Sequence, residues 1–300
     1  MYNIPILLII FNRLDTTEKV FEEIRKQKPK YLYIAGDGPR IDRKDDIENC
    51  KITRSIIEKI DWDCELKTLF REENLGCGKA VSGAVTWFFD NVEMGIILED
   101  DCLPHKDFFP YCEELLIRYK DNKDIKMISG DNFQNRIQRG NASYYFTAYT
   151  HIWGWATWKR TWDEYDFNLN NLSKQDFKNT LKQYFSSWQE RQIWLDKFIL
   201  MKKKLIDTWD YQFTFNVWEH KGVNIMPNVN LISNIGFGKN STHTNDDNNV
   251  LANLPLYPIL PINHPNEISI NKEADRFSYK SLYKKTLIRI FYRRVLRLFK

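Results

Sequence analysis

Three consecutive acids, Glu99-Asp100-Asp101, close a short apolar run, Gly95-Ile96-Ile97-Leu98, and are followed by Cys102-Leu103-Pro104. An apolar run of this length, bounded by turn residues, predicts a strand buried on both faces. Carboxylates crowded at its end repel one another and raise one another's pKa unless a cation offsets them. Hard divalent cations prefer oxygen ligands. The pattern therefore predicts a cation site at the carboxyl end of a central strand.

The elements around the triplet alternate. Ile4 to Phe11 is strand-like, and Thr16 to Lys28 reads as a helix with Asp15 or Thr16 as its N-cap. Tyr31 to Ala35 is a second strand, closed by the turn signature Gly36-Asp37-Gly38-Pro39. Arg40 to Ile60 reads as a charged helix, Glu65 to Phe70 as a strand, Gly76 to Asn91 as a helix, Phe108 to Lys120 as a helix and Ile125 to Ser129 as a strand. This alternation predicts an α/β fold with a mostly parallel sheet and helices on both faces. Ligands of such sheets sit outside the carboxyl ends of the strands. Asn12-Arg13, Asp37 and Glu99 to Asp101 all fall at such ends.

Past about residue 140 the character changes. His151-Ile152-Trp153-Gly154-Trp155-Ala156-Thr157-Trp158 is dense in aromatics, and Ser173 to Lys204 reads as helical. Asp207-Thr208-Trp209-Asp210 precedes a helix-like Phe213 to His220, and Asn224 to Ile235 reads as strand or loop. Asn234 to Asp247 is rich in Gly, Asn, Ser and Thr and reads as a loop. These features predict a catalytic domain over residues 1–265, with halves at about 1–135 and 136–265, and a linker with a basic amphipathic tail over 266–300.

With 300 residues and 43% hydrophobic composition, the chain can bury one large core, and its 28% charged residues argue against global disorder. The five cysteines form no CxxC pair, which fits free thiols in a reducing compartment. Charge is unevenly spread. Nine basic residues and no acid lie between Arg276 and Lys300, so the net +4 of the chain hides a body of −5 over residues 1–275. In the tail, Leu287, Ile288, Phe291, Val295 and Leu298 recur at helical spacing opposite Lys285, Arg289, Arg293, Arg297 and Lys300. Residues 280–300 therefore suit an anionic membrane surface, and the reading is a cytoplasmic protein held peripherally at the inner face. A helix packed on the acidic body is the competing reading. No nucleic-acid-binding module is evident, so nucleic acid is not an expected partner.

The stretch Glu99-Asp100-Asp101 with Cys-Leu-Pro-His-Lys-Asp-Phe-Phe-Pro-Tyr after it resembles the extended DxD region of GT-A glycosyltransferases, the N-acetylglucosaminyltransferase I type above all. The resemblance takes in Arg71-Glu72-Glu73-Asn74-Leu75-Gly76-Cys77-Gly78-Lys79 upstream and Gly154-Trp155 and Trp209-Asp210 downstream, over roughly residues 4–245. It implies a GT-A fold and transfer of a sugar from a nucleotide-diphosphate donor to a glycan or lipid-linked acceptor, with Mn2+ or Mg2+. Asp101 would be the direct metal ligand, Asp100 its support, and Glu99 an acceptor for donor-sugar hydroxyls. Asp37 matches the family's base-reading acid. A carboxylate accepts the imide N–H of uracil, which favours a UDP-sugar. Trp209-Asp210 matches the acceptor side, with Asp210 as general base for inversion and Asp207 as its competitor. His243 would add a late metal or phosphate contact.

Beside these, Asn12 and Arg13 are placed to reach base, ribose or diphosphate. Gly76, Gly78 and Lys79 would line the nucleotide through backbone amides and charge. Trp153, Trp155 and Trp158, Trp155 ahead of the others, could stack on a sugar face, although tryptophans in a chain this aromatic are more often core; Gly154 would permit close approach of the donor, and His151 reads as a hydrogen-bonded structural histidine. Rival readings are a sugar-nucleotide-forming nucleotidyltransferase and a non-catalytic carbohydrate-binding protein. The first would carry a Gly-rich basic signature after the first strand, where Phe11-Asn12-Arg13-Leu14-Asp15 stands instead. The second leaves the acid cluster unexplained.

Overall fold

In a computed structural model, which describes residues 2–237 and 250–284, the first half of the chain alternates as its pattern predicts. It runs β1 (Ile6–Ile10), α1 (Leu14–Gln27), β2 (Tyr31–Gly36), α2 (Lys44–Arg54), β3 (Glu65–Phe70), α3 (Gly76–Phe89), β4 (Met94–Glu99), β5 (Cys102–Pro104), α4 (Phe108–Arg118) and β6 (Ile125–Ser129). The second half adds β7 (Tyr144–Thr147), β8 (Trp155–Trp158), α5 (Lys159–Trp162), α6 (Lys174–Tyr184), α7 (Trp188–Lys202), α8 (Asp210–Glu219), β9 (Val223–Pro227), β10 (Ile232–Asn234) and α9 (Lys272–Ser278). The expected α/β class is borne out: one eight-stranded sheet, in the order β3-β2-β1-β4-β8-β6-β9-β7, with helices on its faces.

Strands β3, β2, β1 and β4 are parallel, and Ile9 of β1 lies opposite Glu99 of β4. The pleat sends alternate side chains to opposite faces. Along β1, Ile6, Leu8 and Ile10 join a core with Val20, Phe21 and Phe108, while Leu7 and Ile9 join a second core with Val85, Phe88 and Phe213. The two cores explain why the strand is apolar throughout rather than alternating.

Several elements differ from expectation, each for a local reason. The aromatic stretch Trp155–Trp158 is a strand, antiparallel to both β4 and β6, with all four residues buried. Helix α1 starts at Leu14 with Arg13 as N-cap, because Arg13's carbonyl takes the Thr17 hydroxyl (2.7 Å) and amide (3.1 Å). The predicted helix over Arg40 to Ile60 shortens to α2 and a 3-10 turn at Ser55–Lys59. The helical region from Ser173 divides into α6 and α7, each with its own serine cap, Ser173 and Ser187. The packed body also runs past residue 265: Ile270 bridges to Phe146, Ala274 and Ser278 are buried, and Tyr283 stacks on Tyr149 at 5.2 Å. No helix among the described residues is long and apolar enough to cross a membrane. The amphipathic stretch from Lys285 onward lies outside the described residues.

Gly154 serves packing rather than approach to a ligand. It sits at φ +60°, and a Cβ there would lie 2.4 Å from the Ile232 side chain. Gly154→Ala should therefore destabilise the protein by about 1–3 kcal/mol, read as a lower urea midpoint with an unchanged slope.

Candidate functional site

A cleft of about 470 Å³ opens at the carboxyl ends of β1, β2 and β4, the edge where ligands of such sheets sit. Its walls include Phe11, Arg13, Asp37, Arg40, Arg71 and Asn74 from the ends of β1, β2 and β3, Gly76 at the start of α3, Glu99, Asp100 and Asp101 at the end of β4, and Trp153, Thr208, Trp209 and Asp210 from the second half of the chain.

The acid triplet is held by residues far away in sequence. Arg13, at the end of β1, donates through Nη2 to Asp100 Oδ1 and to Asp101 Oδ2, the latter at 2.9 Å. From the other direction Ile235 N–H donates to the Asp101 carbonyl at 2.8 Å, and Asn234 Nδ2 to Asp101 Oδ1 at 3.4 Å. The pairing of β5 with β10 brings that segment in. Burial pushes Asp100 up to about 6 even with Arg13 beside it. Burial, and then the charges of Asp101 and Asp100, push Glu99 up to about 8. Burial alone would lower the Arg13 pKa, but the two acids more than offset it and leave it raised.

Among the described residues no cluster of three or more His, Cys, Asp or Glu side chains is arranged to hold a metal ion. Yet Asp100 Oδ2 is buried with no hydrogen-bond partner, beside a second carboxylate. Two carboxylates suit a hard cation that shares its remaining positions with phosphates and water, as Mg2+ does, rather than an all-protein cage. Asp100 and Asp101 therefore fit the predicted cation. His243 lies outside the described residues.

Asp210 is the first residue of α8, half-buried, and lines the same cleft as Glu99. Burial raises its pKa, while the Thr208 hydroxyl, donating to Oδ1, and the Lys197 charge oppose the rise. Asp207 also lines the cleft, but its Oδ1 accepts the Gly78 N–H at 3.0 Å and so caps α3. A carboxylate at a helix N-terminus is favourable. Gly76 (φ +77°) and Gly78 make room for it, since a Cβ at either would lie 2.6 Å from an Asp207 oxygen. The Gly78 amide thus faces Asp207, a correction to its expected role of lining a nucleotide.

Other expectations are also corrected. Asn12 turns its Nδ2 to Asp46 at 2.7 Å, and Lys79 is exposed; neither lines the cleft. Trp155 is wholly buried and stacks on Trp209 at 5.4 Å, and Trp158 binds the Leu116 carbonyl. Of the three tryptophans, Trp153 reaches the cleft wall, packed edge-on to Phe133 at 5.1 Å. Trp209 lines the cleft. His151 is structural as read, with Nδ1 2.8 Å from Asp131. Asp37 lines the cleft, and burial raises its pKa; its oxygens accept Leu75 N–H at 3.1 Å and Asn74 Nδ2 at 2.9 Å. Arg40, Arg71, Phe11 and Asn234 also belong to the walls, and of these the resemblance takes in Arg71 and Asn234 without giving either a role. Arg71 and Phe11 each stand immediately beyond a strand, the one signal that would have marked them.

No protein-family model matches the chain, and no curated protein sequence matches it. Among solved structures it is similar to residues 1–349 of TarS from S. aureus (11% identity, 76% of this chain and 59% of that one, TM-score 0.42). It is similar also to a cytidylyltransferase from Leptospira borgpetersenii (14%, 55% and 63%, TM-score 0.34). A third likeness is to CMP:2-keto-3-deoxy-manno-octonic acid synthetase complexed with CTP (10%, 68% and 93%, TM-score 0.32). The chain thus spans under two thirds of the length of the first two.

Between about pH 4.5 and pH 8 the folded protein keeps a proton on Glu99 that the unfolded chain releases. Without metal or nucleotide, stability should therefore fall as pH rises through that window, by at most about 1.4 kcal/mol per unit. Glu99→Gln should flatten the slope, as read from urea midpoints at several pH values.

Proposed function

We propose that this protein is a glycosyltransferase that moves a sugar from a nucleotide-diphosphate donor, a UDP-sugar, to a hydroxyl of a glycan or lipid-linked acceptor, with inversion at the anomeric carbon. The observation that carries the reading is the placing of the Glu99–Asp101 acids and Asp210 on one cleft, the first beside the polar strand ends and the second beside tryptophans.

Each side chain has a part in a single displacement. Asp210 takes the proton from the acceptor hydroxyl as its oxygen attacks the anomeric carbon, and the nucleoside diphosphate departs from the opposite face. Partial burial brings the carboxylate toward a useful basicity, and Thr208 fixes its orientation. Arg13 meets the charge growing on the diphosphate. Asp101 and Asp100 would hold a divalent cation, which when bound supplies further positive charge there. Glu99, beside the two acids that would hold the cation, accepts a hydrogen bond from a donor-sugar hydroxyl, and the cation's charge offsets the burial and neighbouring acids that otherwise raise its pKa. The basic composition from Arg276 to Lys300 supports an acceptor presented at the inner, anionic face of a membrane.

Calorimetry should show UDP binding strengthened by Mn2+ in the wild type and no metal-dependent component in Asp101→Ala. Asp210→Asn should keep donor affinity within a factor of about two and lower kcat by about 10²–10⁴-fold. Release of pyrophosphate from a nucleoside triphosphate and a sugar phosphate, with no sugar transfer, would replace this reading with nucleotidyl transfer.

A further inference from the structure

The segment that carries the proposed base enters the cleft from an exposed stretch, Lys202 to Leu205. Asp207, also exposed, tethers it to a part of the chain 129 residues away: its Oδ1 accepts the Gly78 N–H at 3.0 Å. The peptide that follows lies close as well. A Cβ at Gly78 would meet the Thr208 carbonyl oxygen at 2.9 Å, besides Asp207 Oδ1 at 2.6 Å. Glycine is a poorer helix former than alanine, so Gly78 gives up helix stability to admit this contact.

The contact continues toward Asp210. Thr208 donates its hydroxyl to Asp210 Oδ1, and its carbonyl accepts Gln212 Nε2 at 2.8 Å. Trp209 is held by other means: it is buried, and its carbonyl accepts the Tyr165 hydroxyl at 3.2 Å. Trp209 and α8 thus fix the Asp210 backbone. The Asp210 side chain takes its aim from Thr208, whose own backbone lies against α3 beside the Asp207 tether. We propose that Asp207 is a positioning residue: its clasp on the N-terminal turn of α3 holds Thr208 where the Thr208 hydroxyl aims the Asp210 carboxylate. This rests on the reading of Asp210 as general base above. The role needs an acceptor oxygen at position 207 and not a charge, because asparagine caps a helix about as well as aspartate. The role of competing base would need the charge. Small errors of aim matter, since a displacement of about 1 Å at a reacting group costs on the order of 10²-fold in rate.

The test follows the Asp210 carboxyl by NMR in the full chain, isotopically labelled at aspartate Cγ, with Asp210→Asn to assign its signal and a melting curve for each variant. Asp207→Ala and Asp207→Asn both remove the charge, but only the second keeps an acceptor for Gly78. A hydrogen bond to a carboxylate favours its charged form. Asp210 should therefore titrate higher in Asp207→Ala than in Asp207→Asn, by about half a pH unit or more. Combined with Thr208→Val, the two should no longer differ, because the clasp then has no hydroxyl to position. Cys77, Glu99, Tyr165, Lys197, Tyr211 and Tyr283 also act on Asp210 and stay the same throughout. With the UDP-sugar and acceptor that the wild type turns over, Asp207→Ala should lower kcat about tenfold or more at unchanged UDP affinity, and Asp207→Asn should recover most of the loss. If Asp207→Ala does not fold, Gly78→Ala, which crowds the same contact, should raise the Asp210 midpoint above that of the wild type and lower kcat likewise. Equal midpoints in the Ala and Asn variants, or a difference that survives Thr208→Val, would overturn the clasp. So would an unchanged kcat in Asp207→Ala, or a loss in Asp207→Asn as deep as in Asp210→Asn, which would make Asp207 the base. The titration needs no substrate, so a wild type that binds UDP and transfers no sugar overturns the transferase reading, and the positioning role with it, whatever the titration shows.

Discussion

One guanidinium stands between the acids of β4 and their mutual repulsion. Arg13 reaches across from the neighbouring strand and binds Asp100 and Asp101 together. Removing one partner of a buried charge pair leaves the other uncompensated, which costs several kcal/mol, so this contact constrains much around it. It requires β1 and β4 to be neighbours, it requires α1 to begin immediately after the arginine, and it leaves one Asp100 oxygen buried without a partner. A site so arranged is incomplete without a further positive group, and the proposed reaction brings a diphosphate and its cation to that place.

The two sides of the cleft are built on different physics. On the donor side, the ends of parallel strands are locked by charge-assisted hydrogen bonds, with Arg54 joining two carbonyls and Asp37 gripping the loop before α3. On the side of the proposed acceptor, Trp155, Trp162, Trp209 and Phe213 pack ring against ring in one aromatic cluster, Trp155 stacked on Trp209 and the others tilted, next in sequence to Asp210. Aromatic rings supply large buried area with few rotatable bonds, so the proposed base rests on a stiff foundation. Stiffness there suits a group that must keep its position while a proton moves.

Sequence pattern carried far in the first half because local signals and tertiary role agree there. The runs Glu65 to Phe70 and Ile125 to Ser129 are strands over their full predicted lengths, the first as the partly exposed edge of the sheet and the second buried throughout. It carried less far in the second half. The composition of Trp155 to Trp158 leaves core and ligand-stacking readings both open, and its pairing with β4 depends on partners distant in the chain. Gly76 and Gly78 show the same limit. Both read as nucleotide-lining glycines, yet both make room for the Asp207 carboxylate, and Gly76 lines the cleft while Gly78 does not. Asn234 carries no local mark at all, because its role is conferred by the β5–β10 pairing.

The position of β8 has a bearing on how the chain reaches its fold. On a ribosome, β1, β2, β3 and β4 emerge first and can pair in order, leaving one side of β4 open until Trp155 to Trp158 arrive. An apolar strand with a bare edge invites pairing with other chains, and charges at its end are among the devices that discourage this. Glu99, Asp100 and Asp101 stand at that end. The acids proposed to serve turnover would thus act earlier as well, as guards on a nascent sheet.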